Sequence, residues 1–318
     1  MNQDLPIGIF DSGVGGLTVY RALHERLPDE HFVYLGDTAR VPYGTKSLAT
    51  VERYAVENSL FLEAHGIKLL VVACNTASAL ALPAIRRAVS VDVIGVIEPG
   101  ARAAVESSRH SGEAKSIGVI ATEATIKSGA YLSAIAKLAP SIKVIERACP
   151  LFVSLAEEGW AETDVARMVA AEYLSDMGGE SVDALVLGCT HYPILRGVIQ
   201  ETVGEGVRLI DSGEAAAEGV EALLLDEELR RDASSSILSS SSSSSPSALS
   251  STSSSSSVND AGSSSARSRE LCDDMDHFYV TDAAERFARV AERFLGSAPR
   301  VLEAVEIWGQ DEFQTRQR

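Results

Sequence analysis

The sequence has no apolar run of the eighteen or so residues that a membrane-crossing helix needs. Nothing at its start has the charged-then-apolar build of a targeting segment, since Met1 leads through Ile7-Gly8-Ile9-Phe10 directly into Asp11-Ser12. The expectation is a cytoplasmic protein with no membrane partner. Positive charge is scarce: 28 lysines and arginines face 45 aspartates and glutamates, for a formal net charge of -17. Phosphate backbones would be repelled within the screening length, which excludes nucleic acid as the main partner. Cysteine is sparse as well. The four, Cys74, Cys149, Cys189 and Cys272, form no CxxC pair and lack the close spacing of a zinc ribbon or a secreted disulfide scaffold, so free thiols are expected. At 318 residues the chain can build two domains with cores of their own.

What is present is an alternation of short apolar runs with helical patterns, the mark of an α/β protein with parallel sheets. In the first half the runs are Ile7-Phe10, Phe32-Leu35, Leu69-Ala73 and Val93-Ile97. The second half repeats the series at nearly the same spacings with Ile117-Ala121, Ile142-Ile145, Ala184-Gly188 and Val207-Ile210. Ile-Gly opens both first runs, a cysteine ends both third runs, and an acid, Glu98 or Asp211, follows both fourth runs. Generic α/β halves share a period and could mimic part of this, but the paired cysteines favour duplication. The fold class expected is two similar parallel-sheet α/β domains related by a pseudo-two-fold, with the active site in the cleft between them, where open α/β sheets bind ligands.

The boundaries drawn are a discontinuous first domain, 1–98 with 207–232 and 270–300, and a second domain, 99–206. Residues 233–269 are a serine-rich insert that cannot bury enough surface to offset ordering, so disorder is expected there. Structure is expected to resume at His277-Phe278-Tyr279-Val280. A helix follows whose apolar face is Phe287, Val290, Ala291, Phe294 and Leu295. The tail 301–318, with Trp308 and Phe313, has no readable place.

Cys74 lies where the strand Leu69-Ala73 gives way to Asn75-Thr76-Ala77. A thiol there feels the free N–H groups of a helix start, which lower a cysteine pKa. Asn75 and Thr76 can cap that helix and contact a ligand. An isolated cysteine is commonly a small buried hydrophobe. Cys189 repeats the arrangement before Thr190-His191-Tyr192-Pro193, and two thiols in equivalent loops of facing halves give a base on each side of one bound molecule. That suits inversion of a stereocentre: one thiolate removes a proton while the other thiol delivers one to the opposite face. His191 can share a proton with Cys189 if an acid orients its ring. As a metal site the pair supplies only two ligands.

The glycine-rich loop Asp11-Ser12-Gly13-Val14-Gly15-Gly16-Leu17-Thr18 invites a nucleotide reading, which fails: GxGxxG needs glycine where Thr18 stands, and no Gly-Lys-Ser/Thr follows. Asp11 would oppose a phosphate and suits an ammonium group, with Ser12 adding a hydrogen bond. Arg40-Val41-Pro42-Tyr43-Gly44-Thr45 follows the second strand on the same side and can line the cleft. Thr122 and Thr125 mirror Asp11-Ser12 with hydroxyls in place of charge, suiting a carboxylate.

The combination of Ile9-Phe10-Asp11-Ser12-Gly13-Val14-Gly15-Gly16-Leu17-Thr18, Pro42-Tyr43-Gly44, Ala73-Cys74-Asn75-Thr76-Ala77 and Leu187-Gly188-Cys189-Thr190-His191-Tyr192-Pro193 resembles the glutamate racemases of the aspartate/glutamate racemase superfamily. The resemblance spans the chain apart from the serine tract and the extreme C-terminus. It implies Cys74 and Cys189 as proton donor and acceptor, and glutamate contacts from Asp11, Ser12, Tyr43, Gly44, Asn75, Thr76, Thr190 and His191, with Thr122 and Thr125 of the same kind. It places the acid beside the catalytic histidine on Glu157, with Glu158 as the alternative. It further implies no pyridoxal phosphate, metal or nicotinamide cofactor, a homodimer, and D-glutamate made for peptidoglycan synthesis. The alternatives are a racemase for aspartate or a related acid, a non-catalytic amino-acid-binding protein, and a cysteine hydrolase built on Cys189 and His191, which leaves Cys74 unexplained.

Overall fold

Ten strands, all paired in parallel, make two sheets in a computed structural model that describes residues 3–109, 116–177, 182–231 and 269–307. The first sheet uses β1 (Ile7–Asp11), β2 (Phe32–Gly36), β3 (Leu69–Val72) and β4 (Asp92–Gly95). The second uses β5 (Ser116–Ala121), β6 (Lys143–Ala148), β7 (Ala184–Gly188) and β8 (Arg208–Asp211). Each set has the same order: β2-β1-β3-β4 in one and β6-β5-β7-β8 in the other. This matched order is the duplication that the sequence spacing predicts. The first sheet then grows at its β2 edge by β9 (His277–Val280) and β10 (Leu302–Ala304).

The strands read as unbroken apolar runs because both faces of each sheet are covered. Alternate residues serve opposite faces. Leu69 and Val71 join one core while Leu70 and Val72 join another, and Leu185 and Leu187 are divided from Ala184 and Val186 in the same way. The first of these cores is continuous between the domains, running from Ile7, Ile9 and Leu17 to Leu185, Leu187 and Tyr192. Helix Ser212–Asp226 packs on Leu17–Arg26 and on Ile97–Arg109, tying the halves together.

Two boundaries differ from those expected. Residues 207–211 do not return to the first domain: β8 pairs with β7, with Ala184 opposite Arg208, and fills the fourth place of the second sheet. The return begins only with the helix after Asp211, whose carboxylate caps it by accepting from the Gly213 and Glu214 N–H groups at 2.7 and 3.4 Å. The tail, which had no readable place in the sequence, begins inside the first sheet, where Leu302–Ala304 pairs with β9 as an edge strand. The expected disorder over 233–269 lies outside the described residues except at Arg269, which pairs with Asp273 at 2.8 Å and Asp276 at 2.5 Å. Trp308 and Phe313 also lie outside them. No helix among the described residues is long and apolar enough to cross a membrane. Helix Ala284–Leu295 buries the five apolar residues read from its periodicity.

Candidate active site

The carboxyl ends of β1, β3, β5 and β7 converge on a cavity of about 150 Å3 between the sheets. Ser12, Pro42, Tyr43, Gly44, Cys74, Asn75 and Thr76 line it from the first domain, and Thr122, Cys189, Thr190 and His191 from the second. The two thiols therefore belong to walls contributed by different sheets. Val41 and Thr45, from the loop expected to line the cleft, complete the wall together with Glu123, Pro150, Val153 and Ser154, which carry no chemical signal in the sequence.

Cys74 follows β3 and is the N-cap residue of the short helix Asn75–Leu80. Its thiol donates to Ser12 Oγ at 3.6 Å. The helix start does not win here: burial and the neighbouring Asp11 charge push the Cys74 thiol up to about 12, against the Ala77 N–H and Ser12, which act downward. In the resting site Cys74 holds its proton. Cys189 is followed by the 3-10 turn Tyr192–Leu195 instead of directly by a helix. Its sulfur lies 3.8 Å from His191 Nδ1, while His191 Nε2 lies 3.1 Å from Glu157 Oε1. Burial opposes a charged ring, but Cys189, Glu157 and Asp11 outweigh it and push His191 up to about 10. A doubly protonated imidazole directs one N–H to the carboxylate and the other towards the sulfur. The His191 hydrogen bond is the largest influence on Glu157 and lowers it; burial opposes, and Arg286 adds to the lowering. Between the two acids, Glu157 reaches the ring, while Glu158 pairs with Arg286 at 3.8 Å.

Three expected site residues stand behind the wall instead of on it. Asp11 is fully buried, and its carboxylate accepts from Gly13 N–H at 3.0 Å and from Thr190 Oγ1 at 3.5 Å. Burial raises its pKa, opposed by His191 and the loop N–H groups. Thr125 supports Thr76 and Thr122 in a triangle of hydroxyls at 3.2, 3.0 and 2.9 Å that crosses the domain boundary. Glu157 is not on the wall itself and meets it through His191. Two residues without a sequence signal hold Asn75 from the second sheet's side: Tyr131 donates to its Oδ1 at 2.7 Å, and its Nδ2 donates to Ser212 Oγ at 3.4 Å.

The glycines of the first loop serve close approach. A Cβ on Gly15 would sit 2.4 Å from His191 Cε1 and from Thr190 Oγ1, so that position must be bare for the loop carrying Thr190 and His191 in the other domain to dock. Gly44 faces Thr122 in the same way, with 2.8 Å to its Cβ. The loop carrying Gly44 is tied down below: the Tyr43 hydroxyl donates to Asp37, which also receives Arg40 at 2.7 Å and Thr281 at 3.0 Å.

Residues 7–220 match the family model described as Asp/Glu/Hydantoin racemase. The chain belongs to this family. As a racemase it is an isomerase acting on amino acids, and several relatives carry a narrower name. It is 48% identical over 290 residues to a glutamate racemase of Geobacter metallireducens, covering 91% of this chain and 92% of that one. Among solved structures, glutamate racemase isoform RacE1 of Bacillus anthracis superposes with a TM-score of 0.78 at 32% identity, covering 96% of this chain and 98% of that one. The glutamate racemase of Francisella tularensis, solved in complex with D-glutamate, gives 0.76 at 35% identity, covering 96% and 99%.

Proposed function

We propose that this racemase interconverts L- and D-glutamate by a two-base 1,1-proton transfer between Cys74 and Cys189. The observation that carries the reading is the placement of the two thiols, one from each domain, on the wall of one small cavity. In one direction a thiolate takes the α-proton and becomes a thiol. The opposite thiol gives its proton to the other face of the carbanion and becomes a thiolate, so each turnover leaves the pair inverted. The transfer is balanced between the two sulfurs and requires no pyridoxal phosphate, metal or nicotinamide.

His191 aims an N–H at Cys189 and is the group that exchanges a proton with it; Glu157 fixes the ring, and Asp11 supports the charge from behind. Among the described residues lining the cavity there is no lysine or arginine. The substrate carboxylates are then held by hydroxyls and backbone N–H groups: those of Thr76 and Thr122 at one end, and of Ser12, Asn75 and Thr190 near the reacting carbon. Preorganised donors of this kind also stabilise charge developing in the carbanion. Enclosure between the domains excludes water and holds the sulfurs near the α-carbon.

The biological reading is D-glutamate supplied for peptidoglycan synthesis by a cytoplasmic homodimer, with no nucleic-acid partner. The domain assignment follows the sheets, with 99–211 as the second domain. A panel of L-amino acids followed by chiral chromatography tests the specificity. Glutamate is expected to racemise at least tenfold faster than aspartate in kcat/KM, because a chain shorter by one methylene cannot reach both sets of hydroxyls. Equal or faster turnover of aspartate would contradict the assignment.

A further inference from the structure

Helix Ala284–Leu295 belongs to the first domain, yet it touches the His191–Glu157 pair of the second domain at three points. Arg286 Nη2 lies 3.2 Å from Glu157 Oε2, Arg293 Nη1 donates to the Glu157 carbonyl at 2.8 Å, and the Phe294 ring stands edge-on to His191 with centroids 6.0 Å apart. The two oxygens of Glu157 are thus divided, one to His191 and one to Arg286. Glu157 and Arg286 also line a second cavity of about 60 Å3, together with Gly13, Val14, Thr38 and Phe287.

We propose that Arg286 is a positioning residue for the reaction: it reaches from one domain to hold the carboxylate of Glu157 against His191 in the other. The orientation of the His191–Cys189 pair then depends on the two domains being apposed, so the proton relay is complete only in the closed arrangement. This rests on the proton-transfer reading above. The other groups facing the pair are Cys189, Thr190 and Asp11 around His191, and Glu158, which shares Arg286 at 3.8 Å. None of these can replace a cation on Glu157 Oε2. Arg293 fixes the backbone at the end of helix Leu151–Glu157 and does not reach that carboxylate oxygen through any observed bond.

The side chain of Arg286 is 56% exposed, and a pair of that kind adds little to stability, so Arg286→Gln should fold. Its kcat is expected to fall roughly tenfold, in the range of coupling between neighbouring groups, with KM changed less than about twofold. Arg286→Lys should recover part of the loss. In a Glu157→Gln background, Arg286→Gln should add nothing. Unchanged kcat in Arg286→Gln, or a full further loss in the Glu157→Gln background, would overturn the proposal. A second reading needs no turnover: NMR titration of the His191 ring in the unliganded protein. The ring's pKa moves down in Arg286→Gln if the arginine acts by holding the carboxylate. It moves up if the guanidinium is only a nearby positive charge, and that result overturns the proposal even if glutamate proves not to be the substrate.

Discussion

Cys74→Ala and Cys189→Ala are each expected to lower glutamate racemisation by about a thousandfold or more while leaving the fold in place. General acid and base groups contribute about 10²- to 10⁴-fold each, and a thousandfold corresponds to about 4 kcal/mol in the barrier. Inversion needs both groups in every turnover, so neither variant can fall back on the other thiol. Because the two enantiomers are equal in free energy, the loss in kcat/KM must also be the same from either side. The structural cost is small: each thiol is a compact buried group, and removing one sulfur leaves a void worth about 1 kcal/mol, a few degrees in Tm. Circular dichroism and thermal unfolding check the fold, and chiral chromatography checks the rate. Cys149 is an internal control. It is buried, lies outside the cavity wall, and its alanine variant should keep its activity within about twofold.

His191→Gln is expected to cost roughly a hundredfold in kcat, since a neutral amide can accept or donate near Cys189 but cannot exchange a proton with it. The pH dependence carries a sign. The folded pKa of about 10 lies above the ordinary value of 6.5, so the charged ring's contribution to stability is complete below about 6.5 and is lost as pH rises towards 10. The stability difference between wild type and His191→Gln should therefore shrink across that window, and the wild-type rate should fall as pH approaches 10. Chemical denaturation at a series of pH values measures the first, and initial rates measure the second. A difference that grows with pH would mean that the ring is neutral at pH 7.

Much of the fold was legible because strands buried on both faces announce themselves as apolar runs between turn residues. Ala184–Gly188 and His277–Val280 were read to the residue. The runs became harder to read at sheet edges: β6 extends through Glu146 and Arg147 to Ala148, beyond the apolar stretch, because an edge strand is only half covered. The three residues of β10 carry too little apolar signal to be seen at all. At the site, the thiols could be found from their matching contexts, but burial depth could not. The sequence places a carboxylate at the end of β1, but not the Thr190 hydroxyl and the Gly13 N–H that the fold brings against it. The same depth overrides the helix start at Cys74. Contacts across the domains, such as Tyr131 with Asn75 or Arg286 with Glu157, join segments far apart in sequence, and no local pattern encodes them.

The position of deuterium after partial racemisation in heavy water tests the central claim most directly. L-Glutamate is incubated with the wild-type protein, stopped at low conversion, separated into enantiomers and analysed by mass spectrometry. Two sulfurs acting from opposite faces predict D-glutamate that carries solvent deuterium at the α-carbon, beside remaining L-glutamate that is still protiated. A single base serving both faces would place comparable deuterium in both enantiomers or return the original proton to the product, and either result would contradict the account.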